Sequence, residues 1–186
     1  MKNKKNLSND VGNLLIGIAI LIILYIYGPY LQAYIPVEPP QNVAQTFSIT
    51  IPKIHAYSPI IPDIDPWHKS NYEQALKKGV AQAQGFSDFG QPGMTFLFAH
   101  SSLPPWEMTR TNTSFLRLGE LKNGDQIIVN KYGHKYIYEV FQKQEVWPTD
   151  VTPLLAKTDQ TELVLQTCTP LGTDWKRLLV YAKPIT

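Results

Sequence analysis

The stretch ELVLQTCTPLGTDWKRLLVYA, residues 162–182, decides how the chain is read. An apolar run, Leu163-Val164-Leu165, leads to Cys168, the only cysteine in 186 residues. The turn formers Pro170 and Gly172 follow, and Arg177 then opens a second apolar run, Leu178-Leu179-Val180-Tyr181. Apolar runs of this length, split by Pro and Gly, predict strand, loop, strand. If the two strands lie side by side, a thiol and a guanidinium converge on one edge of a sheet. A thiol beside a fixed positive charge is expected to have a lowered pKa and to act as a nucleophile. A lone cysteine cannot form an internal disulfide, so Cys168 is a buried small hydrophobe, an intermolecular link or a reactive thiol. Its place between a strand end and a Pro-Gly loop, nine residues before Arg177, points to the reactive thiol.

A second element that can carry chemistry lies upstream. The apolar run Met94-Thr95-Phe96-Leu97-Phe98-Ala99 predicts a strand that runs straight into His100, with Ser101 and Ser102 behind it. A histidine at a strand end among polar residues suits general acid–base work. His55, His68 and His134 compete for that role, but His134 falls in a Lys-Tyr-Gly-His turn and the other two lie near loops.

These residues resemble a known family. Residues 164–172 read V-L-Q-T-C-T-P-L-G and residues 177–180 read R-L-L-V. The pattern is similar to T-L-x-T-C-x-P-x-G followed by R-L-[IV]-V, the signature of the sortases, membrane-anchored cysteine transpeptidases of mainly Gram-positive bacteria. Val164 stands where the family usually has Thr, and Ala99 where it usually has Gly before the histidine. Ile51-Pro52-Lys53-Ile54 resembles the family's opening strand, so the likeness extends over about residues 46–186. The resemblance implies a mainly β fold, a closed β-barrel with short helices, preceded by one N-terminal transmembrane helix. It also implies a thioacyl-enzyme on Cys168, with His100 as proton donor and acceptor and Arg177 holding substrate and oxyanion. The implied substrate is a secreted protein bearing a C-terminal LPxTG-like sorting signal. The implied acceptor is an amine of a cell-wall precursor or a pilin. No cofactor and no metal are expected. Pilin-type members usually carry a second hydrophobic segment near the C-terminus; this sequence reaches Thr186 without one, which favours a housekeeping or related class.

The rest of the chain divides accordingly. Lys2, Lys4 and Lys5 stand in a polar start, and residues 11–35 carry no charge. Spanning a bilayer as a helix takes about 20 apolar residues. Tyr25, Tyr27, Tyr30 and Tyr34 are placed to sit at an interface. No small-residue cleavage site follows, so an uncleaved anchor is favoured over a secretion signal. The expected division is a cytoplasmic tail (1–13), a transmembrane helix (14–35), a Pro-rich linker (36–45) and a catalytic domain (46–186) outside the plasma membrane. Within that domain, strands are expected from FSITI, AYSPIIP, residues 126–130 and 135–141, with a further short one at 145–147. Helices are expected at 69–78, ended by Gly79, and at 150–155, and residues 101–113 form a long loop walling a groove.

Composition sets the outer bounds. A hydrophobic fraction of 44% supports a real core, and the 15 prolines imply many loops. A net charge of +2 with no basic, aromatic-interleaved patch argues against nucleic acid. The competing functional class is a catalytically silent, membrane-tethered barrel that binds peptides in the same groove. Loss of Cys, His or Arg would mark such a chain, and all three are present.

Overall fold

Alternating inward and outward side chains on short strands need a closed sheet to bury one face completely, and the chain closes its sheet with no free edge. The computed structural model describes residues 2–32, 34–36, 40 and 42–185. Among them eight strands form one barrel: β1 (Phe47–Ile51), β2 (Ala56–Ile64), β3 (Val80–Ala83), β4 (Gly93–Phe98), β5 (Gln126–Lys131), β6 (His134–Val146), β7 (Thr161–Thr169) and β8 (Lys176–Pro184). Around the barrel they run β1-β2-β3-β4-β7-β8-β6-β5, and β5 pairs back to β1. Two neighbour pairs are parallel, β2 with β3 and β4 with β7; the rest are antiparallel. This is the mainly β, closed-barrel architecture expected above.

The barrel has two apolar surfaces. Ile49, Leu97, Ile127, Leu163, Leu165 and Val180 fill the interior. On the outside of the β4–β7–β8 wall, Phe96, Phe98, Val164, Leu179 and Tyr181 form a second cluster. Helix α2 (Lys69–Leu76) covers it with Ala75 and Leu76. Strands buried on both faces read as continuous apolar runs rather than alternating ones. That is why β7 carries the run Leu163-Val164-Leu165. Gly79 joins α2 to β3 at close quarters: a Cβ there would sit 2.3 Å from the Pro59 carbonyl oxygen of β2. Only glycine lets the chain pass.

Several elements differ from expectation. β3, Val-Ala-Gln-Ala, was not anticipated; it is short and lacks the run of branched and aromatic residues that marks a strand. β2 continues through Pro62 to Ile64, and β6 is one strand of 13 residues rather than a pair of pieces, with an irregularity between Val140 and Gln142 in its pairing to β8. The brief helix near 150–155 is α3 (Thr152–Leu155).

Before the barrel, α1 runs as one helix over Lys2–Gln32. Its segment Asn9–Gln32, with mean hydropathy 2.3, is long and apolar enough to cross a membrane, and none of its apolar window is buried in protein. Of the expected linker 36–45, residues 37–39 and 41 lie outside the described residues.

Leu165 tests the closed interior, because its side chain has no exposed surface. Leu165→Ala is expected to destabilise the domain by about 2–5 kcal/mol, measured by urea unfolding. A loss below about 1 kcal/mol would show that the interior is not packed as described.

Candidate active site

Register, not sequence proximity, assembles the site. β4 runs parallel to β7 with Phe98 opposite Gln166, so the residues two positions on, His100 and Cys168, stand level. Two hydrogen bonds carry the alignment past the end of β4. The Ala99 N–H donates to the Gln166 carbonyl at 3.1 Å, and the Thr167 hydroxyl donates to the Ala99 carbonyl at 3.0 Å. On the other flank, β7 and β8 are antiparallel with Cys168 directly opposite Arg177. The three side chains therefore form a row across adjacent strands.

Strand alternation puts all three on the outer wall. Val164 packs in the outer cluster and Leu165 in the interior one, so Cys168 shares the outer face with Val164. Leu179 and Tyr181 mark the same face on β8, and Arg177 belongs to it. His100, Cys168 and Arg177 line one groove of about 860 Å³. Phe96, Phe98 and Leu179 contribute apolar lining, Tyr72 and Glu73 come from α2, and Leu103, Pro104 and Pro105 come from the loop after His100. The loops beyond His100 and Cys168 are tied together where the Gly172 N–H donates to Ser102 Oγ at 3.1 Å.

Arg177 is held by its own loop. Its Nη1 donates to the Asp174 carbonyl at 2.9 Å and to the Lys176 carbonyl at 3.3 Å. Among the described residues, Nε and Nη2 donate no hydrogen bond to protein, so part of the planar fork stays available to a ligand.

The electrostatics correct one expectation. Burial pushes the Cys168 thiol above its ordinary pKa; the charge of Arg177 pulls it down, and Asp174 pushes it up again. Burial outweighs the guanidinium, so the thiol is not activated at rest. His100 moves the other way: burial lowers its pKa, opposed by the charges of Glu73 and Glu107. Both shifts favour neutral thiol beside neutral imidazole in the ligand-free groove. Glu73 and Glu107 were missed from the sequence, since neither belongs to a motif and each reaches His100 only through the fold.

The other histidines lie elsewhere. His55 is exposed in a left-handed turn (φ 54°) outside the groove, His68 is exposed and pairs with Asp65, and His134 opens β6 at the opposite end of the barrel. Trp106 sits in the expected wall loop with its own ring outside the lining. Among the described residues no group of three His, Cys, Asp or Glu is placed to hold a metal.

A closed barrel with a cysteine, a histidine and an arginine in register on its outer wall defines a class of thiol-bearing β-barrels. The Sortase domain profile matches residues 49–185, and the chain belongs to the sortase family. It is 30% identical over 142 residues to Sortase D of Bacillus subtilis (strain 168), covering 74% of this chain and 63% of that protein. Among solved structures, it resembles sortase C1 from Streptococcus suis with a TM-score of 0.63 and 30% identity, over 77% of this chain and 74% of the other. It also resembles sortase C of Streptococcus pneumoniae, with a TM-score of 0.64 and 27% identity, over 85% and 77%.

The thiol's ionisation can be read from its alkylation rate against pH. With burial dominant, the midpoint is expected above the roughly 8.5 of a free cysteine. A midpoint below that value would mean that Arg177 outweighs burial.

Proposed function

We propose that this chain is a cysteine transpeptidase that cuts an LPxTG-like sorting signal and transfers the severed protein to an amine. The observation that carries the reading is the row of Cys168, His100 and Arg177 along one groove. Membership in the sortase family supports it.

The chemistry follows from the row. The thiol proton passes to His100, giving thiolate and imidazolium. The sulfur attacks the scissile carbonyl carbon, and the carbonyl oxygen takes up the electron pair as an oxyanion. Free N–H donors of Arg177 stabilise that charge. Collapse breaks the C–N bond, and His100 gives its proton to the departing amine, leaving a thioester on Cys168. An incoming amine of a cell-wall precursor or a pilin then attacks the thioester while His100 takes its proton. The C–S bond breaks and the thiol is restored. No cofactor takes part in these steps.

The domain arrangement extends the proposal. Residues 1–13 stay in the cytoplasm, where Lys2, Lys4 and Lys5 hold them by the positive-inside rule. Residues 14–35 cross the plasma membrane, 36–45 form the spacer, and 46–186 work outside.

The pKa directions set the pH profile. The reactive form needs thiolate and imidazolium together, yet the cysteine loses its proton at higher pH than the histidine. Below the lowered pKa of His100, protonation of the thiol reduces the rate as pH falls. Above the raised pKa of Cys168, loss of the imidazolium reduces it. Peptide cleavage should therefore show a broad plateau between a limb below about 6.5 and a limb above about 8.5. A narrow bell inside those limits would contradict the neutral resting pair.

Variants test the roles with a small library of LPxTG-like peptides and an amine acceptor. Cys168→Ala should abolish turnover with the fold intact, and full cleavage by that variant would end the proposal. His100→Gln should lose about 10² to 10⁴-fold, whereas His55→Gln, His68→Gln and His134→Gln should not. Arg177→Lys separates two roles. An ammonium keeps the positive charge but not the planar fork, so cleavage should fall about 10² to 10³-fold while alkylation of Cys168 is nearly retained. Parallel losses would show that Arg177 acts mainly on thiol ionisation.

A further inference from the structure

The strand directions place the end of α1 beside the site. β2 begins at Ala56 beyond the level of Ile60, which pairs with Val80 near the His100 end of β4. The turn at Pro52–Ile54 and the loop after His100 therefore share one end of the barrel with Cys168 and Arg177. The C-terminal end of α1 docks there. The Arg117 guanidinium lies 4.2 Å from the centre of the Tyr34 ring and donates to the Ile54 carbonyl at 3.3 Å. Pro29 and Gln32 line a pocket with Ile54 and Arg117, and Tyr30 lines the groove itself.

The same end carries large, exposed aromatic side chains. Trp106 follows the loop prolines, Trp147 follows β6 and Trp175 precedes β8; they are 69%, 63% and 68% exposed. Lys176 reaches over the Trp147 ring at 5.7 Å. Indole is favoured where hydrocarbon meets headgroups. The 24 residues Asn9–Gln32 span about 36 Å as a helix, more than the roughly 30 Å of a hydrocarbon core. The last turn, with Tyr30, thus stands at headgroup level, and the docked barrel end stands with it.

We propose that Trp106, Trp147 and Trp175 form a membrane-seating rim that holds the mouth of the groove against phospholipid headgroups. The occupant of this surface is the bilayer that anchors the chain, which lies within reach of every copy. Lys176 beside Trp147 is paired with Glu145 at 3.2 Å, so the rim rests on its indoles rather than on free charge. The groove would then open along the membrane surface rather than away from it, and any substrate would enter at headgroup level. The proposal rests on α1 crossing the bilayer and does not depend on the transpeptidase chemistry.

Every tryptophan of the chain lies in the barrel domain and none in α1, so their fluorescence reports the barrel domain rather than the membrane-crossing helix. The full chain is reconstituted in phosphatidylcholine–phosphatidylglycerol nanodiscs with a nitroxide on either the headgroup or the deep acyl chain. The headgroup nitroxide should remove roughly half or more of the emission and the deep one much less, as for indoles at an interface. Replacing Trp106, Trp147 and Trp175 by Phe leaves only Trp67, which is 60% exposed and lines the groove, and the headgroup nitroxide should quench that remainder clearly less than it quenches the wild type. Emission untouched by either lipid yet quenched by aqueous iodide would overturn the proposal. Full lipid quenching of the triple variant, or a chain that does not insert, would overturn it as well. A spectral shift on adding a sorting-signal peptide without lipid quenching would assign the rim to the peptide and also defeat it. Quenching needs no turnover, so an inactive chain that is still quenched would defeat the transpeptidase reading alone.

Discussion

The parallel ladder between β4 and β7 is the constraint on which the site depends. In sequence His100 and Cys168 are far apart, and nothing local relates them. Pairing Phe98 with Gln166 makes them level, and the bonds from Ala99 and Thr167 hold that level past the last ladder pair. A slip of one residue would turn either side chain to the other face of the sheet. Apolar burial prevents the slip. Leu97 and Leu165 must face the interior while Phe98 and Val164 face the outer cluster, and a shifted register would exchange oil for groove on both sides. The packing that stabilises the barrel is thus the same packing that aims the functional groups.

Burial on both faces has an electrostatic consequence. The outer cluster, α2 and the prolines after His100 make a groove with low-dielectric walls. Such walls oppose charge on the thiol and on the imidazole alike, and they act more strongly here than Arg177, Glu73 and Glu107 do. Arg177 is accordingly better placed to meet charge that develops on a ligand than to ionise Cys168 in advance. Its Nη1 is spent on the Asp174 and Lys176 carbonyls, which fixes the plane of the fork and leaves other donors open. A preset donor need not reorganise when negative charge appears beside it.

Much of this was legible in the residues. Cys168 and Arg177 flank one hairpin, so strand, turn and strand could be read locally, and their opposition follows from hairpin geometry. His100 was legible as a strand-end residue because β4 is a dense apolar run with a polar stop. Its closeness to Cys168 was not readable from spacing, since a parallel pairing depends on everything folded between the two strands. β3 escaped notice because Val-Ala-Gln-Ala draws its stability from two neighbours rather than from its own propensity. The direction of the thiol shift was missed for a related reason. The charge of Arg177 is visible in the sequence, whereas the burial that desolvates Cys168 exists only after packing. The docking of Tyr30 and Tyr34 on the barrel likewise has no local signal.

A resting neutral pair also bears on the survival of the thiol. Oxidation and disulfide exchange both proceed through thiolate, so a half-buried protonated cysteine is a poor target for either. The protection costs reactive population, because ionising Cys168 at neutral pH works against the same walls that shield it. Under the proposed transpeptidase reading, the carbonyl of a peptide in the groove would bring the developing charge to Arg177, and the proton leaving sulfur would find His100 level with it. Reactivity would then depend on substrate contacts rather than on a standing thiolate.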